Sequence, residues 1–127
     1  MTRLFLISFL IPIVFFGQDF LRLQTTLDPT VGKYGSDTIK CNENYSIYYE
    51  FYKQKNYNDA LTAWTYLFKN APKRTKNIYT HGETMYKAFI KAENDSLKRA
   101  GLLQDLLTIY NNRNYYFPGQ DGLILGK

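Results

Sequence analysis

The chain has 127 residues, of which 45% are hydrophobic and 17% are aromatic. This length supports one small domain, because chains of about 100–150 residues typically form a single core. The formal charge of +5 comes from lysines and arginines that are scattered among acidic residues, without a long basic run. We therefore expect a solvated surface of mixed charge and no binding of nucleic acid.

The first seventeen residues have the pattern of a signal peptide. Arg3 supplies one positive charge, and the run Leu4–Phe16 is almost entirely apolar. This run is shorter than the roughly 20 apolar residues of a membrane-spanning helix, and its length is typical of a secretion signal. We expect cleavage after Gly17 and export of the remaining chain, with an uncleaved membrane anchor as the alternative.

Cysteine and histidine each occur once, as Cys41 and His81. A single cysteine excludes an internal disulfide framework. In an oxidising compartment a lone thiol is either buried as a small apolar group or paired with another chain, and we expect burial. Neither residue has a second ligand of its own type at metal-binding spacing, so we expect no metal site.

Residues 18–43 predict an extended lead-in to the helical part of the chain. The stretch Asp28–Asp37 contains a proline and two glycines among polar residues, which is typical of a loop. Its glycines lack the spacing of a phosphate-binding loop. We expect this lead-in to lie along the first helix.

Four helices are predicted after the lead-in, over 44–55, 57–71, 76–92 and 97–112, followed by an aromatic turn over 115–119. The second helix has the clearest helical period, and Pro72 follows its end. The turn between the first two helices is short, so they must pack antiparallel. The apolar stripe of the second helix consists of Tyr57, Ala60, Leu61, Trp64, Leu67 and Phe68.

The first and third helices match each other at an offset of 34 residues. Phe51 and Met85 are similar at this offset. A match at that period indicates an array of repeated helical hairpins. The identical pairs are Tyr45 with Tyr79, Tyr52 with Tyr86, and Lys53 with Lys87.

On these residues the chain resembles a tetratricopeptide repeat protein. Ala60, Trp64 and Pro72 stand at that family's alanine, bulky and closing-proline positions, and Gly82 takes its small helix-crossing position. The resemblance implies an all-α fold of stacked antiparallel hairpins, a short solenoid of about two units over residues 44–127. We expect the array to continue beyond residue 127 or to dock on a partner, since such arrays usually need three units.

Two stretches, 40–44 and 49–57, more narrowly resemble exported tetratricopeptide-like envelope proteins of Bacteroidota. This resemblance implies a periplasmic or outer-membrane-associated interaction protein without a cofactor. In the family, the inner faces of the first helices of each unit line a groove that binds peptides. The matching positions here are Tyr45, Tyr49, Tyr52 and Lys53 in the first unit and Tyr79, Glu83, Tyr86 and Lys87 in the second.

Three functions follow from the sequence. The first is a scaffold of the cell envelope, which binds a partner protein or peptide segment through the tyrosine-lined face and contacts a membrane only through that partner. The second is a purely structural N-terminal cap of a longer helical-repeat protein, in which the tyrosines pack on the lead-in or on the next repeat. The third is a thiol enzyme using Cys41 and His81. No motif specifies a reaction, and His81 falls at a helix-packing position, so we do not expect an enzyme.

Overall fold

The computed structural model describes residues 22–23 and 25–119. These residues form four helices and no strand: α1 (Thr38–Lys53), α2 (Tyr57–Asn70), α3 (Asn77–Ala92) and α4 (Ser96–Tyr116). The pairs α1–α2 and α3–α4 are helical hairpins, and α2 packs on α3 to stack them. The predicted all-α fold of a short helical repeat is confirmed. The predicted signal peptide lies outside the described residues.

Trp64 joins the two hairpins. Its indole is fully buried and stacks on Phe68 with ring centroids 5.0 Å apart. The indole Nε1–H donates to the carbonyl of Ile78 at 2.8 Å, which links α2 to the first turn of α3. Burying an aromatic side chain of this size stabilises a fold by about 3 kcal/mol relative to leaving it exposed.

The close approach of α3 to α2 depends on Gly82. A Cβ atom at this position would lie 2.5 Å from Cζ2 of Trp64 and 3.1 Å from its Cε2. Glycine therefore makes room for the indole ring, as the helix-crossing position in the sequence predicts.

Two helices have different ends from those predicted. Helix α1 begins at Thr38 rather than Asn44, because the side chain of Asp37 caps it by accepting from the N–H of Lys40 at 2.9 Å. The first turns of α1 carry few apolar residues, so they give no periodic signal. Helix α4 continues to Tyr116, past the predicted end at residue 112 and through the start of the expected aromatic turn.

The lead-in runs along α4, not along α1 as predicted. Its contacts with α4 come from Arg22, Leu23, Thr25 and Asp28, none of which lies in a helix or strand. The sequence does not indicate this arrangement, because the arrangement depends on polar residues of α4 that resemble ordinary surface residues in the sequence. The hydrogen bonds are Leu23 N–H to Asp105 Oδ1 (2.8 Å), Asn112 Nδ2 to Thr25 Oγ1 (3.0 Å) and Asp28 N–H to the Tyr116 hydroxyl (2.9 Å).

Residues 29–36 carry the chain from α4 to the start of α1 across the end of α2. The ammonium of Lys73 donates to the carbonyl of Pro29 at 3.4 Å. Gly35 has a φ of 71°, and a Cβ there would clash with the backbone of Asn70. Glycine is therefore required both for the turn and for the close passage.

Candidate binding surface

Helices α1 and α3 bring five rings together in one group, called here the aromatic cluster. Four tyrosines of α1 recur at i, i+3, i+4 and i+7, so they lie on one side of that helix. His81 of α3 lies among them. The aromatic cluster consists of Tyr45, Tyr48, Tyr49, Tyr52 and His81.

His81 is held on two sides by rings of α1. Its ring stacks on Tyr52 at a centroid distance of 4.0 Å and an angle of 17°, and lies parallel to Tyr49 at 5.8 Å. Its Nδ1 is 2.9 Å from the hydroxyl of Tyr48. In the neutral tautomer that carries its proton on Nε2, Nδ1 accepts this hydroxyl proton. Burial lowers the pKa of His81, so the neutral ring is favoured.

The aromatic cluster has an inner and an outer layer. Tyr48 is fully buried, and burial raises the pKa of its hydroxyl. Tyr49 is 37% exposed, while Tyr45 and Tyr52 are half-buried. The inner layer therefore joins the two hairpins, and the outer layer offers ring surface and hydroxyl groups to solvent.

Cationic groups flank the outer layer. The ammonium of Lys53 lies 5.0 Å from the centroid of the Tyr49 ring and 2.9 Å from Glu50 Oε2. On the other side, the guanidinium of Arg74 lies 4.6 Å from the centroid of Tyr45, a distance at which a cation is attracted to the ring face. Among the described residues, no carboxylate lies within ion-pair distance of Arg74.

Two of the tyrosines predicted to line a groove lie in the core instead. Tyr79 is 1% exposed and Tyr86 is 4% exposed. The hydroxyl of Tyr79 donates to the carbonyl of Pro72 at 2.7 Å, and its ring packs between Phe68 and Phe117. The long helix α4 covers this face of α3, which is why positions that match in sequence differ in exposure.

The remaining predicted pair, Glu83 and Lys87, forms an ion pair of 2.8 Å on α3. The hydroxyl of Tyr110 of α4 also donates to Glu83 at 2.9 Å. Burial raises the pKa of the Glu83 carboxyl, but the hydrogen bonds from Lys87 and Tyr110 outweigh it and hold that pKa below its usual value. This pair therefore connects α3 with α4 rather than completing the aromatic cluster.

Sequence reasoning did not place Arg74 or His81 on the candidate surface. Arg74 lies in the turn between α2 and α3, where no periodicity marks a residue's direction. His81 was expected as a packing residue, and it does pack, but with rings that continue to the surface. The equivalent residue of the first unit is Ile47, 34 positions earlier. Because Ile47 is exposed, the repeat does not indicate that His81 packs among rings.

The described residues show no arrangement that specifies a reaction. They contain no group of three histidine, cysteine or acidic residues able to hold a metal ion. Cys41 is fully buried, as expected, and burial raises the pKa of its thiol. A thiol that is buried and protonated is a poor nucleophile.

A cleft of about 300 Å³ lies between α2, α3 and α4. Its lining is largely apolar, and Glu93 is its one ionisable carboxylate. This composition suits packing of an apolar group and provides no paired acid and base. The lining residues are Asn58, Leu61, Tyr86, Phe89, Ala92, Glu93 and Leu102.

No protein-family model matches the sequence, and neither curated proteins nor solved structures show a significant match to it. Within the described residues, no helix has the length and apolar character needed to cross a bilayer.

Proposed function

We propose that this protein is an exported helical-repeat scaffold that binds a segment of a partner protein at the outer layer of the aromatic cluster. The observation that carries the proposal is a group of three accessible tyrosines, in which Tyr49 and Tyr52 stack on His81 and Tyr45 packs against Tyr49. Export to the cell envelope is proposed from the signal-peptide pattern of residues 1–17.

The preorganisation of these tyrosines favours protein binding as the function of this surface. Tyrosine combines a large apolar ring with a hydroxyl, and aromatic residues are enriched where protein surfaces bind each other. The stacking of Tyr49 and Tyr52 with His81 already restricts these side chains. Less conformational entropy is then lost when a partner binds.

The helical backbone determines how such a partner is recognised. Inside α1 the N–H and C=O groups are paired with each other, so a partner cannot add a strand to this surface. Recognition must come from ring contacts, tyrosine hydroxyls and the cations of Lys53 and Arg74. These cations favour a partner segment that carries an acidic residue next to its apolar contacts.

A purely structural role as the cap of a longer repeat array is the second candidate. Leu103 and Leu107 are exposed and lie four residues apart on α4, where a further helical pair could cover them. In that case a longer chain that includes the next repeat would have a clearly higher melting temperature than this one. An unchanged melting temperature would remove this candidate.

Affinity capture from crosslinked cells tests the binding proposal. The full chain with a C-terminal tag is compared with Tyr49→Ala and with the matched control Tyr115→Ala, which removes an exposed tyrosine from α4. If Tyr49 is a central contact, its removal costs about 2 kcal/mol of binding, or roughly a 30-fold loss of affinity. We expect Tyr49→Ala to lose a reproducible partner while its helical content, measured by circular dichroism, stays the same. Equal capture by wild type and Tyr49→Ala, or equal loss with Tyr115→Ala, would refute the proposal.

A further inference from the structure

The cleft between α2, α3 and α4 has aliphatic and aromatic walls. Leu61 of α2, Phe89 of α3 and Leu102 of α4 line it. Tyr86 also lines the cleft and meets Phe89 edge to face, with ring centroids 5.3 Å apart. Such rings attract a further aromatic group that stacks on them or meets them at the edge. An apolar protein cavity of about 150 Å³ binds benzene. A cleft of about 300 Å³ therefore has room for an aromatic group of two rings.

Tyr86 brings an unpaired hydroxyl group to this cleft. Its side chain is 4% exposed, and its ring packs against Trp64 and Phe89. Its hydroxyl makes no hydrogen bond with the residues that the structure describes. The hydroxyl of a buried tyrosine usually has a hydrogen-bond partner. Burial raises the pKa of this hydroxyl, so it keeps its proton and can both donate and accept. The unpaired group indicates that the cleft receives a polar group as well as an apolar one.

Glu93 gives the cleft a negative charge. This residue caps the C-terminal end of α3, and its Oε2 accepts from the N–H of Asp95 at 3.1 Å. In the part of the chain that the structure describes, no cation lies within ion-pair distance of the Glu93 carboxylate. The guanidinium of Arg99 donates to the main-chain carbonyl of Glu93 instead, at 2.6 Å. The carboxylate can therefore still accept from a ligand that carries a positive charge.

An ammonium group complements the polar groups of the cleft. It carries three N–H donors and no acceptor. The lining offers it oxygen acceptors on the carboxylate of Glu93, the hydroxyl of Tyr86 and the amide of Asn58. None of the described residues that line the cleft carries a positive charge. The cleft therefore favours a cation over an anion of the same size.

We propose that this cleft binds a small aromatic amine, with its ring between Leu61, Phe89 and Leu102 and its ammonium group at Glu93. None of the lining residues belongs to the aromatic cluster. Binding of an amine here and binding of a partner protein at the aromatic cluster can therefore be lost independently of each other.

Titration of the full chain with naphthylethylamine tests this proposal, followed by the NMR signals of the leucine methyl groups. We expect saturable shifts of the methyl signals of Leu61 and Leu102. Naphthylacetate carries the same rings with a negative charge, and naphthylethanol carries them without a charge. A partly exposed ion pair changes an affinity by up to about fivefold. The amine should therefore bind about fivefold more tightly than the alcohol, and the acetate should bind more weakly than both.

The variant Glu93→Gln isolates the charge. Glutamine keeps an oxygen that can accept from the N–H of Asp95, so the end of α3 is preserved. We expect this variant to bind naphthylethylamine and naphthylethanol equally well. The control Glu50→Gln removes a carboxylate from α1, outside the cleft, and should keep the preference for the amine.

The variant Ala92→Phe blocks the cleft without removing any side chain from the core. Ala92 is exposed and lines the cleft, so a ring at this position competes with the ligand. We expect the ligand-dependent shifts to disappear. The control Ala100→Phe changes an exposed alanine of α4 that does not line the cleft, and should leave the shifts unchanged.

Several results would overturn the proposal. These are the absence of saturable shifts at Leu61 and Leu102, equal affinities for the amine and the acetate, an unchanged preference in Glu93→Gln, or unchanged binding by Ala92→Phe. A short blocked peptide with phenylalanine next to lysine carries the same two chemical groups. If this peptide bound more tightly than naphthylethylamine, the cleft would accept side chains of a partner protein and the assignment of a small amine would be wrong.

Discussion

At the scale of single residues, the contact between Tyr48 and His81 joins the two helical hairpins. The hydroxyl of Tyr48 in α1 lies 2.9 Å from Nδ1 of His81 in α3. The same imidazole supports two of the outer tyrosines, Tyr49 and Tyr52, by stacking. One histidine therefore serves both the fold and the proposed binding surface.

The stability of the fold should depend on pH through His81. Burial depresses its pKa in the folded state below that of the unfolded chain, where histidine titrates near about 6.5. A base with a depressed pKa contributes stability above the unfolded pKa, and this contribution is lost as the pH falls through the folded pKa. We expect the free energy of unfolding to decrease below about pH 6.5.

The double variant Tyr48→Phe/His81→Phe isolates this effect. It keeps an aromatic ring at position 81 and removes both members of the hydrogen bond, so no buried polar group is left alone. Urea unfolding between pH 5 and 7 should show a weaker pH dependence for the variant than for the wild type. If the free energy of unfolding depends on pH equally in the variant and the wild type, then the pKa of His81 does not change on folding.

Asp105 should have the opposite dependence. Burial raises the pKa of its carboxyl, while the Leu23 N–H and Arg22 oppose this without cancelling it. Its contribution to stability is therefore complete below the unfolded pKa of about 3.9 and is lost as the pH rises through the folded pKa. Asp105→Asn retains an oxygen that accepts from Leu23 and removes the charge.

We expect Asp105→Asn to gain stability relative to the wild type as the pH rises from 4 to 7, in urea unfolding. The His81 effect is present in both proteins and cancels in their difference. A variant that loses stability relative to the wild type over this range would show that the buried carboxylate is better satisfied than its contacts indicate.

At the scale of elements, replacing Gly82 of α3 or Gly101 of α4 by alanine should have opposite effects on the stability of the protein. Gly82→Ala places a methyl group against the buried indole of Trp64, and overpacking of this kind typically costs about 1–3 kcal/mol. In Gly101→Ala the new Cβ meets only the flexible end of Arg22, at 3.3 Å. Alanine is favoured over glycine inside a helix by about 0.5–1 kcal/mol, so this change should stabilise the protein.

Urea unfolding of the two glycine variants at one pH measures this difference directly. The pair controls for the change itself, since both replace a helical glycine by alanine. Equal effects of both variants would mean that α2 and α3 do not cross as closely as the structure shows.

The helices differ in how far their sequences predict them. The 3.6-residue period places α2 and α3 within one residue of their observed ends. The start of α1 depends on the cap at Asp37, a single polar side chain whose partner a periodicity cannot reveal. Helix α4 continues past its predicted end at residue 112 to Tyr116, where the sequence shows no periodic signal.

At the scale of the whole molecule, the repeat of 34 residues predicts the stacked hairpins but not their surfaces. Tyr45 and Tyr79 match in sequence, yet Tyr45 belongs to the outer layer of the aromatic cluster and Tyr79 is buried against Phe117. The difference arises because α3 is covered on that side by α4, whereas α1 packs on α2 and contacts α3 through His81. A residue's exposure in a short array therefore depends on which unit it belongs to.

Site-specific photocrosslinking tests the proposed binding surface most directly. A photoreactive phenylalanine analogue replaces Tyr49 in the full chain, and a second sample carries it at Tyr115 as the control. After irradiation in the cells that make the protein, we expect a discrete crosslinked partner at position 49 and none at position 115. Absence of a crosslink at position 49, or the same products at both positions, would contradict binding at the aromatic cluster.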